Sequence, residues 1–215
     1  NQETFDDYSN IIANFNYFKT LVNDDNFEAV WNGLSKLMFV EVALDKNKDD
    51  PQRIFESLNS TGLELTQADL IRNYILMDLE RKYQNEIYEN YWQIIEKNAT
   101  DLKTNSSKVS DFIRDYLTLE NKTIPNKGKV YQEFKNKYTN MSLTQWQDAL
   151  EKIKSLALHY NKLINPKNEK DKDIQKQLNY IDRLEINVAF PFLMKVYDDY
   201  NQNVIDKNTF INVLE

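Results

Sequence analysis

Apolar residues recur at steps of three and four over most of the chain, the signature of helices with one buried face. Phe5, Tyr8, Ile12, Phe15, Phe18 and Val22 form the first such stripe; Phe27, Val30, Trp31, Leu34 and Leu37 form the second. The period changes at Met38–Leu44, where Phe39, Val40, Val42, Ala43 and Leu44 run almost unbroken. A short apolar run rich in β-branched residues and followed by a polar loop predicts a strand buried on both faces. A lone strand leaves backbone groups unsatisfied. Its partner is either a weaker segment of this chain or, the preferred reading, a sheet supplied by residues outside it, which would make it the remnant of a truncated α/β portion.

Asp50-Pro51 then supplies an N-cap and a first-turn proline, and Ile54, Phe55 and Leu58 face inward. Asn59-Ser60-Thr61-Gly62 closes that short helix, with Gly62 suited to a left-handed cap. Thr66 and Asp69 have the spacing of a capping box and open the next helix, which buries Leu70, Ile71, Tyr74 and Ile75. Behind it, Ile87–Ile95, Val109–Leu117 and Val130–Tyr138 each repeat a helical stripe. A longer helix, capped by Ser142 or Thr144, carries Trp146, Leu150, Ile153, Ala157, Tyr160 and Ile164 and stops at Asn165-Pro166. Further helices are predicted near 174–184, 188–200 and from Asp206 onward. Polar residues 98–107 mark a candidate linker, dividing the chain into 1–98 and 99–215. The fold class is mainly α, a multi-helix bundle-like array with one short strand at about 38–44.

Composition sharpens this picture in a few places. The chain has 215 residues, with only three glycines, four prolines and no cysteine. So little turn material opposes a many-stranded fold, and disulfides or cysteine-based zinc sites are excluded. No apolar run approaches the roughly 20 residues of a membrane span, and no signal-peptide pattern opens the chain, so a cytoplasmic protein is expected. The net charge of −7 and the acidic residues among the lysines of 122–137 and 152–176 read as a mixed-charge helix surface. Direct DNA binding would favour a basic patch instead.

Candidate chemistry is sparse. The one histidine, His159, has no triad or metal partner near it in sequence and reads as an ordinary surface or boundary residue. Trp31, Trp92 and Trp146 sit on apolar faces and are read as core. Phosphate-binding glycine loops and the hydrolase elbow are absent. What remains is the corner at 50–73. Its plain reading is a capped helix-turn-helix; its functional reading is that Asn59, Ser60, Thr61 and the amides around Gly62 face an anion, flanked by Arg53 and Arg72.

The segment PQRIFESLNSTGLELTQADLIRNYIL resembles the GmrSD-type restriction endonuclease family at Phe55, Glu56, Asn59, Gly62, Leu65, Asp69 and Leu70. The resemblance is specific over about 35 residues; the later helices, including RLEINVAFPFLMKVYDD, fit more loosely. Such proteins begin with a ParB/sulfiredoxin-like nucleotide-binding portion bearing an Asp-Gly-Gln-Gln-Arg motif, and commonly end in an HNH-type nuclease portion. This chain contains neither motif; Pro51-Gln52-Arg53 is a faint echo. The resemblance therefore implies an internal fragment, and the missing start methionine and mid-pattern opening agree. It also implies that Arg53, Phe55, Glu56, Asn59, Thr61, Gly62 and Asp69 border a nucleotide site whose catalytic residues lie elsewhere in a parent protein. No catalytic residue, metal ligand or cofactor is expected in the fragment itself. The parent is expected to use a nucleoside triphosphate and a divalent metal, and to meet DNA. The fragment's partner would be the remainder of that parent chain. The alternative is a non-enzymatic helical interaction module.

Overall fold

The structure is a computed structural model describing residues 10–39, 41, 54, 65–77 and 79–215. It is mainly α-helical, and it divides into two compact units, residues 1–48 and 49–215.

In the first unit, helix α1 (Asn10–Leu21) and helix α2 (Phe27–Leu34) are joined by an asparagine-bonded turn. Asn23 Oδ1 accepts from the Asp25 and Asn26 amides, and Asn26 Nδ2 donates to the Leu21 carbonyl at 2.7 Å. The helical periods are as read, but the expected burial is not found, since neither helix has a buried residue among those described. Trp31 is a correction: it is 57 % exposed and stacks on Phe27 instead of entering a core. A stripe needs an opposing apolar surface before it is buried, and period alone does not supply one. Of the predicted strand at 38–44, Met38, Phe39 and Glu41 lie in no strand, and the other residues fall outside those described.

The second unit is a helical array around one continuous core that runs from Ala68 to Leu214. Helix α3 (Gln67–Met77) leads to α4 (Arg81–Ile87), which passes through a π-helical turn, Tyr88–Trp92, into α5 (Gln93–Asn98). The polar stretch after it forms a tight hairpin of β1 (Thr100–Asp101) and β2 (Ser106–Ser107), paired antiparallel with Thr100 opposite Ser107. Asn105 takes the left-handed turn conformation at φ 53°, a position asparagine tolerates well. Buried Asn165 ties this hairpin to the array. Its Oδ1 accepts from the Leu102 amide and its Nδ2 donates to the Thr100 carbonyl, each at 2.9 Å.

Helices α6 (Val109–Asn121), α7 (Val130–Lys137), α8 (Leu143–Ile164), α9 (Lys172–Leu184), α10 (Phe190–Asn201) and α11 (Lys207–Leu214) complete the array. The cap of α8 is Ser142, in a reciprocal capping box with Gln145. Every inward residue expected on α6 is buried: Val109, Phe112, Ile113, Tyr116 and Leu117. Trp146 is fully buried and meets Tyr74, Phe134 and Tyr138 with ring centroids about 6 Å apart. Such aromatic pairs contribute roughly 1 kcal/mol each beyond the area they bury.

Candidate functional site

Of the seven residues expected to border a nucleotide site, only Asp69 lies among the described residues. Arg53, Phe55, Glu56, Asn59, Thr61 and Gly62 fall outside them. Asp69 closes the expected capping box. Its Oδ2 accepts from the Thr66 amide at 3.2 Å and from the Thr66 hydroxyl at 2.7 Å, while its own amide donates to Thr66 Oγ1. The same carboxylate holds Arg72 at 3.1 Å. Arg72 reaches in turn to Glu96 on α5, also at 3.1 Å. Glu96 further accepts from Trp92 Nε1 at 2.7 Å and from the Tyr88 hydroxyl at 3.3 Å, both on the π-helical turn. Arg72 is thus committed to two protein carboxylates, which leaves it poorly placed as the free anion-binding cation expected beside the turn.

Two further polar sites were not read from the sequence, because their parts are far apart along the chain. The first surrounds His159. It is 5 % exposed, which corrects its reading as a surface or boundary residue. Its ring stacks on Tyr197 at 5.0 Å, its Nδ1 lies 3.3 Å from Asn201 Nδ2, and its Nε2 is 3.6 Å from Asp198 Oδ1. Burial holds the imidazole pKa below its usual value, against the opposing pull of Asp198. Tyr197 donates its hydroxyl to buried Glu169, which also pairs with Lys162 at 3.0 Å and accepts from the Asp171 amide at 2.8 Å. Burial works to raise the Glu169 pKa, but the Tyr197, Asp171 and Lys162 bonds outweigh it and hold it below the usual range.

The second is a cleft of about 710 Å³ among α6, α8 and the segment from α9 into α10. Asp111 and Asp115 lie one turn apart on α6, and Tyr160 of α8 lines the same space. Ile124, Ile164, Phe190 and Pro191 supply apolar wall, while Lys108 and Lys127 contribute cations. Two other cations of the cleft are engaged: Lys103 pairs with Asp182, and Arg114 Nε donates to the Pro125 carbonyl at 2.8 Å. Burial, then the neighbouring Asp111 charge, push Asp115 up to about 7 against the pull of Arg114. Burial and the same two carboxylates push the Tyr160 hydroxyl up. A carboxyl that titrates near neutrality can either donate or accept a hydrogen bond. Among the described residues, no group of three or more His, Asp or Glu is arranged to hold a metal ion. Among them, too, no helix is long and apolar enough to cross a membrane.

The helical array, opened by the Thr66–Asp69 capping box, places the molecule with mainly α proteins. Residues 1–76 match the family model described as the GmrSD restriction endonuclease, N-terminal domain. This supports a GmrSD-type N-terminal portion over those residues, and the match ends inside α3. No curated protein and no solved structure matches the chain.

Proposed function

We propose that this chain is part of a nucleotide-dependent DNA restriction or phage-defence protein. In this reading residues 1–76 complete a nucleotide-binding portion, and the array from α3 to α11 relays its state to a nuclease portion. The observation that carries the proposal is the junction at Arg72. This residue lies within the segment matching the restriction-endonuclease domain, and it joins Asp69 there to Glu96 outside it. A buried or half-buried charge network that spans two elements is a physical route for coupling, because its parts move together or break.

These 215 residues alone are expected not to hydrolyse nucleoside triphosphates; turnover by a clean preparation would sink that part of the reading. In the parent protein, Arg72→Ala is expected to leave nucleotide turnover within about twofold while lowering nucleotide-stimulated DNA cleavage about tenfold, or roughly 1.4 kcal/mol of coupling. Equal loss of both activities would instead mark Arg72 as a folding residue. The competing reading, a non-enzymatic interaction module, draws on the exposure of Phe15, Phe18, Phe27 and Leu34 in the first unit. A parent protein that binds neither nucleotide nor DNA would favour it.

A further inference from the structure

The cleft beside Tyr160 lies outside the family match and plays no part in the nucleotide reading. We propose that it binds a primary alkylammonium group, seated between the carboxylates of Asp111 and Asp115 and the hydroxyl of Tyr160.

Three observations converge on that chemistry. Tyr160 is 3 % exposed and lines the cleft, yet its hydroxyl makes no hydrogen bond among the described residues. The hydroxyl is not among the fully buried polar atoms left without a partner, so it opens on the cleft and can accept a hydrogen bond from a group that enters. Asp111 and Asp115 have no hydrogen bond or ion pair among the described residues either, although Lys108 and Lys127 line the same cleft. Their spacing on α6 puts the two carboxyls on one face, roughly 6 Å apart at Cβ. The apolar side chains Ile124, Ile164, Phe190 and Pro191 offer contact to methylenes.

An ammonium has three N–H donors and no acceptor, which matches two carboxylates and one hydroxyl. An anion would face both carboxylates, and a divalent metal would lack a third protein ligand of the usual kind. Lys103 and Arg114 are already engaged with Asp182 and the Pro125 carbonyl, so neither is placed to fill the seat. The bound cation would favour ionised Asp115, and uptake would release the proton that the empty cleft holds near neutral pH.

The test is calorimetric titration of the 215-residue protein with n-butylammonium chloride, using tetramethylammonium as a cation without N–H donors. Butylammonium is expected to bind with a Kd on the order of 1 mM. At about pH 7 it should release about half a proton, since Asp115 titrates there. Asp115→Asn and Tyr160→Phe are each expected to weaken binding about tenfold, and Asp115→Asn to abolish the proton release. A blocked peptide with one central lysine distinguishes the source of the amine: tighter binding than butylammonium assigns a protein side chain, weaker binding a small molecule. Equal binding of tetramethylammonium, or no heat with butylammonium, overturns the proposal. Should either variant fail to fold, the wild-type protein still decides. Affinity is expected to rise about tenfold between roughly pH 6 and pH 8, and a flat profile overturns the proposal.

Discussion

Two consecutive residues of α8 face opposite kinds of polar surroundings. His159 enters a knot in which Tyr197, Glu169 and Lys162 bond one another and Asn201 reaches the imidazole, while His159 Nε2 alone is buried without a hydrogen-bond partner among the described residues. Tyr160, equally buried, opens on a cleft where Asp111, Asp115 and its own hydroxyl have no bonded partner among the described residues. Adjacent helix positions point about 100° apart, so a single helix can serve a stabilising network on one side and a ligand-ready space on the other. Buried polar groups that satisfy one another fix a structure. Polar groups that open on a solvent-filled cleft without a protein partner add little to stability and stay available to a ligand.

The comparison breaks most severely at Glu169. Replacing it by alanine leaves the buried Tyr197 hydroxyl and the half-buried Lys162 ammonium without their shared acceptor. Glu169→Ala is expected to cost about 2 kcal/mol in denaturant unfolding, less than breaking a fully buried ion pair because Lys162 stays partly hydrated. A loss below about 1 kcal/mol would mean that the knot tolerates repair by water and is not closed. Tyr197→Phe removes a donor but leaves Glu169 its bonds to Lys162 and the Asp171 amide, so its expected cost is smaller, about 1.5 kcal/mol.

The difference between the two sides of α8 was not legible in the sequence, although the helix itself was. Ser142, the Trp146–Ile164 stripe and Asn165-Pro166 specify start, inward face and stop, and α8 spans Leu143–Ile164 accordingly. Local signals of that kind reside within a few residues of one another. The partners of His159 do not: Tyr197, Asp198 and Asn201 come from α10, about 40 positions later. Nor do those of Tyr160, since Asp111 and Asp115 precede it by more than 40. Packing brings these groups together, and no periodicity records it. Trp31 illustrates the converse, a correctly read stripe with no buried surface against it. The capping box at Thr66 and Asp69 was fully legible, because all its bonds lie within four residues.

Stability against pH sharpens the comparison, because the two sites respond with opposite signs. His159 has a folded pKa below its free value of 6.5. The folded protein therefore binds this proton less readily than the unfolded chain, and stability is lost as pH falls below about 6.5. His159→Gln is expected to flatten the drop seen between roughly pH 7 and pH 5. Asp115 goes the other way. Its carboxyl rises from 3.8 to about 7 on folding, so the neutral form favours the fold and that contribution is lost as pH rises through about 7. Asp115→Asn is expected to stabilise the protein by about 1 kcal/mol near pH 8, a figure reduced for the partial exposure of the carboxyl, and to change little near pH 4. Unfolding curves across this range that move in parallel for both variants would show that neither group is set apart by its surroundings.

The smallest expected effect is the most discriminating. Tyr160→Phe deletes a hydroxyl that has no hydrogen-bond partner among the described residues, while keeping the ring that packs on Phe112 at 5.1 Å and on Phe190 at 5.7 Å. Removing a hydroxyl that opens on a cleft and bonds no protein group is close to neutral, so the change in unfolding free energy is expected to lie within about 0.5 kcal/mol of zero. Tyr197→Phe, the same chemical deletion one helix away, is expected to cost about three times that bound, because its hydroxyl is bonded to Glu169. Paired denaturant titrations at one pH measure both. Equal costs would erase the distinction between a knot that stabilises and a cleft that waits; a silent Tyr160→Phe beside a costly Tyr197→Phe would establish it.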